Sequence, residues 1–412
     1  MLEKIISLIE NSPSSFNGAK NIKEELISRG YKKITFNESI EKGGKYYIEK
    51  NESCILAFNI GESLVNPYFN IVASHLDCPS FKIKPNPVIK ANGYCKLNVE
   101  GYGGMIMSTW LDKPLGIAGR VAYKKDGKIV TDIINIDEAV CSIPNVAIHM
   151  NREVNKGYAF NIKDDMLPII SLNEDFDFYK FLAVKTGIKE KILSYDLFLY
   201  PVYKALIWGE DKEFISSFHI DDFACASTSL YAFIDNFSKN AINIYASFDN
   251  EEIGSLTKQG ADSNFLYDIL KYISKELGLE YVAMLEKSLS LSADNAHALH
   301  PNHPEYYDIS NRAYLNKGIV IKYSARQSYA SDSLGSAIFI DILEKENIPY
   351  QFFTNRSDMP GGSTLGNISN SHVSIDTVDI GLAQLAMHSN MEMAGSKDFI
   401  YMYEALKAFY RR

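Results

Sequence analysis

Histidine is scarce in this chain, with eight residues in 412. Cysteine is scarcer: Cys54, Cys78, Cys95, Cys141 and Cys225 are odd in number, widely spaced and free of any C-x-x-C. That pattern excludes a thiolate zinc site and a disulfide framework, and reduced cysteines in a cytoplasmic protein are expected. No apolar run approaches the roughly 18 residues of a membrane-spanning helix, so no membrane is expected as a partner. The opening MLEKIISLIENSPSS carries Glu3 and Lys4 and lacks an A-x-A site, unlike a signal peptide. Basic runs are missing too. With 42 Lys and Arg dispersed against 51 Asp and Glu, the net charge is −9, which argues against nucleic acid as a partner. There is no H-E-x-x-H and no G-x-S-x-G, and Gly101-Tyr-Gly103-Gly104 matches neither a P-loop nor G-x-G-x-x-G.

What is present is an ordinary globular composition, 46% hydrophobic and 23% charged. At roughly 150 residues per domain the length predicts two or three domains. Leu2 to Ile9 and Lys20 to Ser28 read as amphipathic helices. Short apolar runs then alternate with helical stretches, which predicts an α/β domain with strands buried on both faces. Four strands are expected at Tyr68–Ser74, Ala241–Phe248, Met284–Ser292 and Tyr350–Thr354, each followed at once by polar residues. In open α/β sheets the functional crevice lies beyond the carboxyl ends of the strands. The middle, 86–207, is richer in short extended pieces and turn signals, with one helix near Phe176 to Thr186. It reads as a β-rich insertion, which leaves 1–85 and 208–412 as one discontinuous catalytic domain.

The strand ends carry the chemistry. His75 can bind a divalent metal, and Asp77, two residues on, can fix its tautomer. Asp221-Asp222 opens a helical stretch; an N-cap alone accounts for an acidic pair there, and a bridge between two metals is the alternative. Glu251-Glu252 follows an apolar strand, where one carboxylate can hold a metal while its neighbour takes a proton from bound water. Asp294, His297, His300 and His303 concentrate three of the eight histidines in seven positions. His388 follows Ile380 to Met387, read as helix-like, and supplies a late-chain histidine. Two histidines, several carboxylates and no cysteine suit a two-metal hydrolytic site of zinc, cobalt or manganese.

These residues lie in blocks that resemble the aspartyl aminopeptidase family, dinuclear zinc metallopeptidases of family 18. The blocks are SHLDCPSFKIKPNP (74–87), GYGGMIMSTWLDKPLGIAGRV (101–121), IPNVAIHMNREVNKGYAFN (143–161), SFDNEEIGS (247–255), SADNAHALHPNHPE (292–305) and VDIGLAQLAMHSNMEMAG (378–395), in family order. The resemblance implies a discontinuous metallopeptidase (phosphorylase/hydrolase-like) α/β/α domain with an inserted β-rich domain used in dimerisation and assembly. It implies two divalent ions per subunit, zinc foremost. His75, Asp221 and Asp294 would hold one; Asp221, Glu252 and His388 would hold the other. Glu251 would be the general base, with Asp77 orienting His75. His149, His297, Lys322 and Tyr329 would contact substrate, with Lys322 the cation for an acidic first residue. Peptides would be the substrates, and a homododecamer built from dimers the assembly. Two departures stand out. The family's W-F-D-R-D-L is Trp110-Leu-Asp-Lys113-Pro114-Leu here, and the family's Asp-Asn is Asp221-Asp222, which leaves Asp222 as the alternative bridge. A broader-specificity tetrahedral aminopeptidase and a catalytically silent assembly or cargo-binding paralogue are the competing readings.

Overall fold

The structure is a computed structural model that describes residues 1–359, 361–362 and 364–412. The chain divides into two compact units, one of Met1–Asp77, Ala205–Met387 and Glu392–Arg412, the other of Cys78–Lys204 and His388–Met391.

The first unit is built on a nine-stranded mixed sheet. At its centre Ala241–Phe248, Tyr68–His75, Leu289–Ala293 and Asp376–Gly381 lie side by side and parallel. Ala241–Phe248 is buried along its whole length, as expected of a parallel strand covered on both faces. The pleat divides the side chains between two cores. Phe69, Ile71 and Ala73 enter one, with the helix Phe265–Glu276. Val72 enters the other, with the helices Ile220–Ile234 and Ser396–Tyr410. Helices therefore cover both faces, giving an α/β/α sandwich. A five-stranded sheet, of which Phe214–Ser217, Glu392–Gly395 and Ala296–His297 are members, completes the unit.

The helix starts follow local chemistry. Ser14 caps Ser15–Ser28 by accepting the Asn17 N–H, and Asp332 caps Ser333–Lys345 by accepting the Gly335 N–H. Two expected elements take another form. Met284–Ser292 is not one strand: Tyr281–Leu285 is helical and the strand is Leu289–Ala293. Ile380–Met387 is not helical: it ends the strand Asp376–Gly381 and forms Ala383–Leu385. In both places the stretch spans two short elements and carries no decisive period, and pairing with neighbouring strands decides the conformation.

The second unit is a six-stranded antiparallel sheet drawn from Ser80–Pro201, with Phe178–Thr186 as its longest helix, capped by Asp177. Among the described residues no helix is long and apolar enough to cross a membrane.

Candidate metal centre

Parallel strands deliver their carboxyl ends to one edge, and the first unit's acids gather there. His75 ends Tyr68–His75, Glu251 and Glu252 follow Ala241–Phe248, and Asp294 follows Leu289–Ala293. Asp221 and Asp222 arrive from the start of Ile220–Ile234, where both depart from helical φ/ψ and the peptide bond between them is cis. Ligand atoms of His75, Asp221 and Asp294 lie within 4.8 Å of one another, and so do those of His75, Glu251 and Glu252.

His75 is buried, and its Nδ1 stands 3.0 Å from the Asp77 main-chain oxygen. A carbonyl only accepts, so Nδ1 carries a proton, and Nε2 is the nitrogen that can give up its proton to a cation. That Nε2 is 3.8 Å from Asp221 Oδ1. Asp222 turns elsewhere: its Oδ2 accepts the main-chain N–H of His75 at 3.3 Å. Asp77 does more than face the imidazole. Its two carboxylate oxygens accept the N–H groups of Glu251 and Glu252, at 3.1 and 3.2 Å, and so fix the turn that presents both glutamates. Glu392 likewise accepts the Asp221 N–H at 2.8 Å.

The electrostatics of the group call for positive charge. Burial pushes the Glu251 carboxyl up to about 9; His75 pulls it down, while Asp294 and Glu252 add to the rise. Burial raises Asp294 to about 6, with Lys322 opposing and Asp221 reinforcing. Burial disfavours a charged His75, yet Asp77, Asp222 and Glu251 hold its pKa well above the usual value. Buried acids that repel one another are relieved by a divalent cation. Imidazole and carboxylate donors without thiolate fit zinc, cobalt or manganese.

The expected substrate contacts fall in different places. Lys322 is 1% exposed, and its Nζ donates to the main-chain oxygens of Asp294 at 2.8 Å and Asn295 at 3.3 Å. Burial works against its charge, but Asp294 and Asp379 outweigh it and raise the pKa. Tyr329 is buried with its ring 5.2 Å from that Nζ. His297 is exposed on Ala296–His297, its ring 6.2 Å from that of Phe353. His149 lies in an exposed turn of the second unit, beside the bond from the Met150 N–H to the Ala147 oxygen. His388 belongs to the second unit's short return, 2.7 Å from the Gly104 oxygen through Nδ1. Sequence reasoning missed Asp379, a fully buried acid in the strand Asp376–Gly381. A lone acid between Val378 and Ile380 was the signal for it.

Comparison with known proteins gives the family. The family described as "Aminopeptidase I zinc metalloprotease (M18)" matches residues 8–410. A Clostridium acetobutylicum protein named "Probable M18 family aminopeptidase 2" is 44% identical, covering 99% of this chain and 98% of its own. In the cryo-EM structure of the Ape4 and Nbr1 complex, a chain 32% identical superposes with a TM-score of 0.94, covering 99% of this chain and 85% of that one. The S. cerevisiae mApe1 dodecamer gives a TM-score of 0.87 at 26% identity, covering 99% of this chain and 96% of that one. With the strand-end acids, the α/β/α fold and a match over nearly its whole length, the chain belongs to the M18 family of zinc metalloproteases and is a metal-dependent aminopeptidase.

Proposed function

We propose that this aminopeptidase removes acidic first residues, Asp or Glu, from peptides at a two-metal site. In this reading His75, Asp221 and Asp294 hold one ion, and Asp221, Glu252 and His388 the second, zinc foremost. His388 is carried by the family resemblance. Bound ions supply the Lewis acidity that makes water a nucleophile near neutral pH. Glu251 takes the proton of the attacking water and returns it to the leaving amine. Asp77 keeps the His75 tautomer and the Glu251 turn in place. His297 and Tyr329 steady the carbonyl oxygen as charge develops on it, and His149 contacts the substrate. The observation that carries the reading is the convergence of His75, Asp221, Asp294, Glu251 and Glu252 at one sheet edge.

The discontinuous 1–85 and 208–412 portion is the catalytic part, and 86–207 serves assembly. The dodecameric state of the yeast mApe1 structure supports a homododecamer for this chain. A cytoplasmic location fits five cysteines free of disulfides.

Acidic preference needs a cation, and Lys322 beside Asp294 is the candidate. A second reading, broader specificity, is favoured by the commitment of Lys322 Nζ to two main-chain oxygens. Hydrolysis of aspartyl-, glutamyl-, leucyl- and lysyl-chromogenic amides separates the two. Metal-stripped protein reloaded with zinc, cobalt or manganese should act on the first two substrates alone. In Lys322→Met, turnover of the acidic substrates should fall more than that of neutral ones. Equal loss would remove Lys322 from the specificity role, and activity spread over neutral residues in the parent would establish the broader reading.

A further inference from the structure

Asp379 lies at the centre of the first unit's sheet, in register with Ser292 on the neighbouring parallel strand. Its strand neighbours Val378 and Ile380 are wholly buried, and so is Asp379. A carboxylate in that setting is costly unless it is bonded. Its bonds reach out to two other segments. Oδ2 accepts the N–H of Ala330, and Oδ1 accepts the hydroxyl of Thr364. The Asp379 N–H donates to Ser331 Oγ at 2.8 Å. The chain is fitted to this carboxylate: a Cβ at Gly366 would stand 2.7 Å from Asp379 Oδ2 and 2.9 Å from Ser292 Cβ.

The held segment has no regular structure of its own between the strand Ile319–Tyr323 and the helix Ser333–Lys345. A loop without ladder bonds is placed by what its main chain bonds to. Ala330 and Ser331 are the two residues that Asp379 grips. Tyr329, the next residue back, lies over Lys322 Nζ, and Lys322 in turn holds the Asp294 main chain. A continuous set of contacts thus runs from Asp379 through 329–331 and Lys322 to a ligand loop.

We infer that Asp379 is a positioning residue for peptide hydrolysis, pinning segment 329–331 so that Tyr329 meets the substrate in a fixed place. The inference rests on the reading of Tyr329 as a substrate contact. Asp379 does not bind metal in this scheme, so its loss leaves the metal content alone.

The test uses full-length, zinc-loaded protein. Asp379→Ala and Asp379→Asn are compared for zinc per chain, for amide exchange at Ala330, and for kcat and KM on an aminoacyl chromogenic amide. Asp379→Ala should keep its zinc and exchange the Ala330 amide faster. It should lose about tenfold in kcat/KM, mostly through kcat, because the contact it places is made as charge develops on the carbonyl oxygen. Asp379→Asn, which keeps an acceptor for the Ala330 N–H, should recover most of that loss. If Asp379→Ala does not fold, Asp379→Asn and Thr364→Val carry the comparison. In a Tyr329→Ala background, Asp379→Ala should add little, because both act through one contact. Full additivity, a kcat/KM within twofold of the parent, or activity lost in step with zinc would overturn the inference. An unchanged kcat/KM in Tyr329→Ala alone would instead remove Tyr329 as a substrate contact.

Discussion

Glu251 and Glu252 are adjacent in sequence and placed by the same carboxylate, yet they are expected to fail differently. Glu251→Gln keeps shape and loses the proton acceptor, so kcat should fall by about 10²–10⁴ with zinc content intact. Glu252→Gln should lose zinc first, and excess zinc should restore part of its activity; metal analysis beside turnover separates the two. A Glu251→Gln protein that hydrolyses substrate at the parent rate would end the general-base assignment. His75, Asp221, Glu251, Glu252 and Asp294 were legible in the sequence because each ends a strand or opens a helix, where a polar side chain interrupts an apolar pattern. Glu392 and Asp379 were not legible as positioning groups. Their bonds go to the Asp221 and Ala330 main-chain N–H groups, 171 and 49 residues away, and sequence carries no mark of a main-chain donor's neighbour.

At the scale of elements, the last helix shows how an acid in a first turn ties distant segments. Asp398, in the first turn of Ser396–Tyr410, accepts the N–H groups of Asn316 at 2.6 Å and Gly318 at 3.0 Å. Burial pushes its carboxyl up to about 7, with those N–H groups pulling the other way. An unfolded Asp releases its proton near ~3.9. Between those values the folded chain binds more protons than the unfolded one. The contribution of Asp398 to stability therefore falls as pH rises from about 4 to about 7 and is level above that. Asp398→Asn has no such slope. The Tm of the variant relative to the parent should climb from about pH 5 to about pH 7, whatever its absolute value. A difference that stays constant with pH would contradict this account. The strands Tyr68–His75 and Ala241–Phe248 and the helix Ile220–Ile234 were readable because their apolar patterns run long, each being buried over nearly its whole length. Met284–Ser292 and Ile380–Met387 were misread because each spans the end of one short element and the start of the next, and neither stretch is long enough to show a period.

For the whole molecule, the buried acids of the metal centre make stability depend on cations. Chelation should lower the Tm of the zinc-loaded protein by roughly 5 °C, from two sites each near a hundredfold saturation. Zinc, and not magnesium at equal concentration, should restore it, since imidazole with carboxylate favours the softer ion. A Tm indifferent to chelator would mean the acids are relieved by protons alone. The order of segments along the chain has a further consequence, for synthesis. The six-stranded sheet is drawn from one continuous stretch, Ser80–Pro201, and can pair as it leaves the ribosome. The central strands of the other sheet come from Tyr68–His75, Ala241–Phe248, Leu289–Ala293 and Asp376–Gly381. Tyr68–His75 must therefore wait, unpaired, while the chain between it and Ala241 is translated. A nascent protein stalled before Ala241 would carry one finished sheet and an exposed, apolar, parallel-pairing strand, the state in which a chaperone would be most needed.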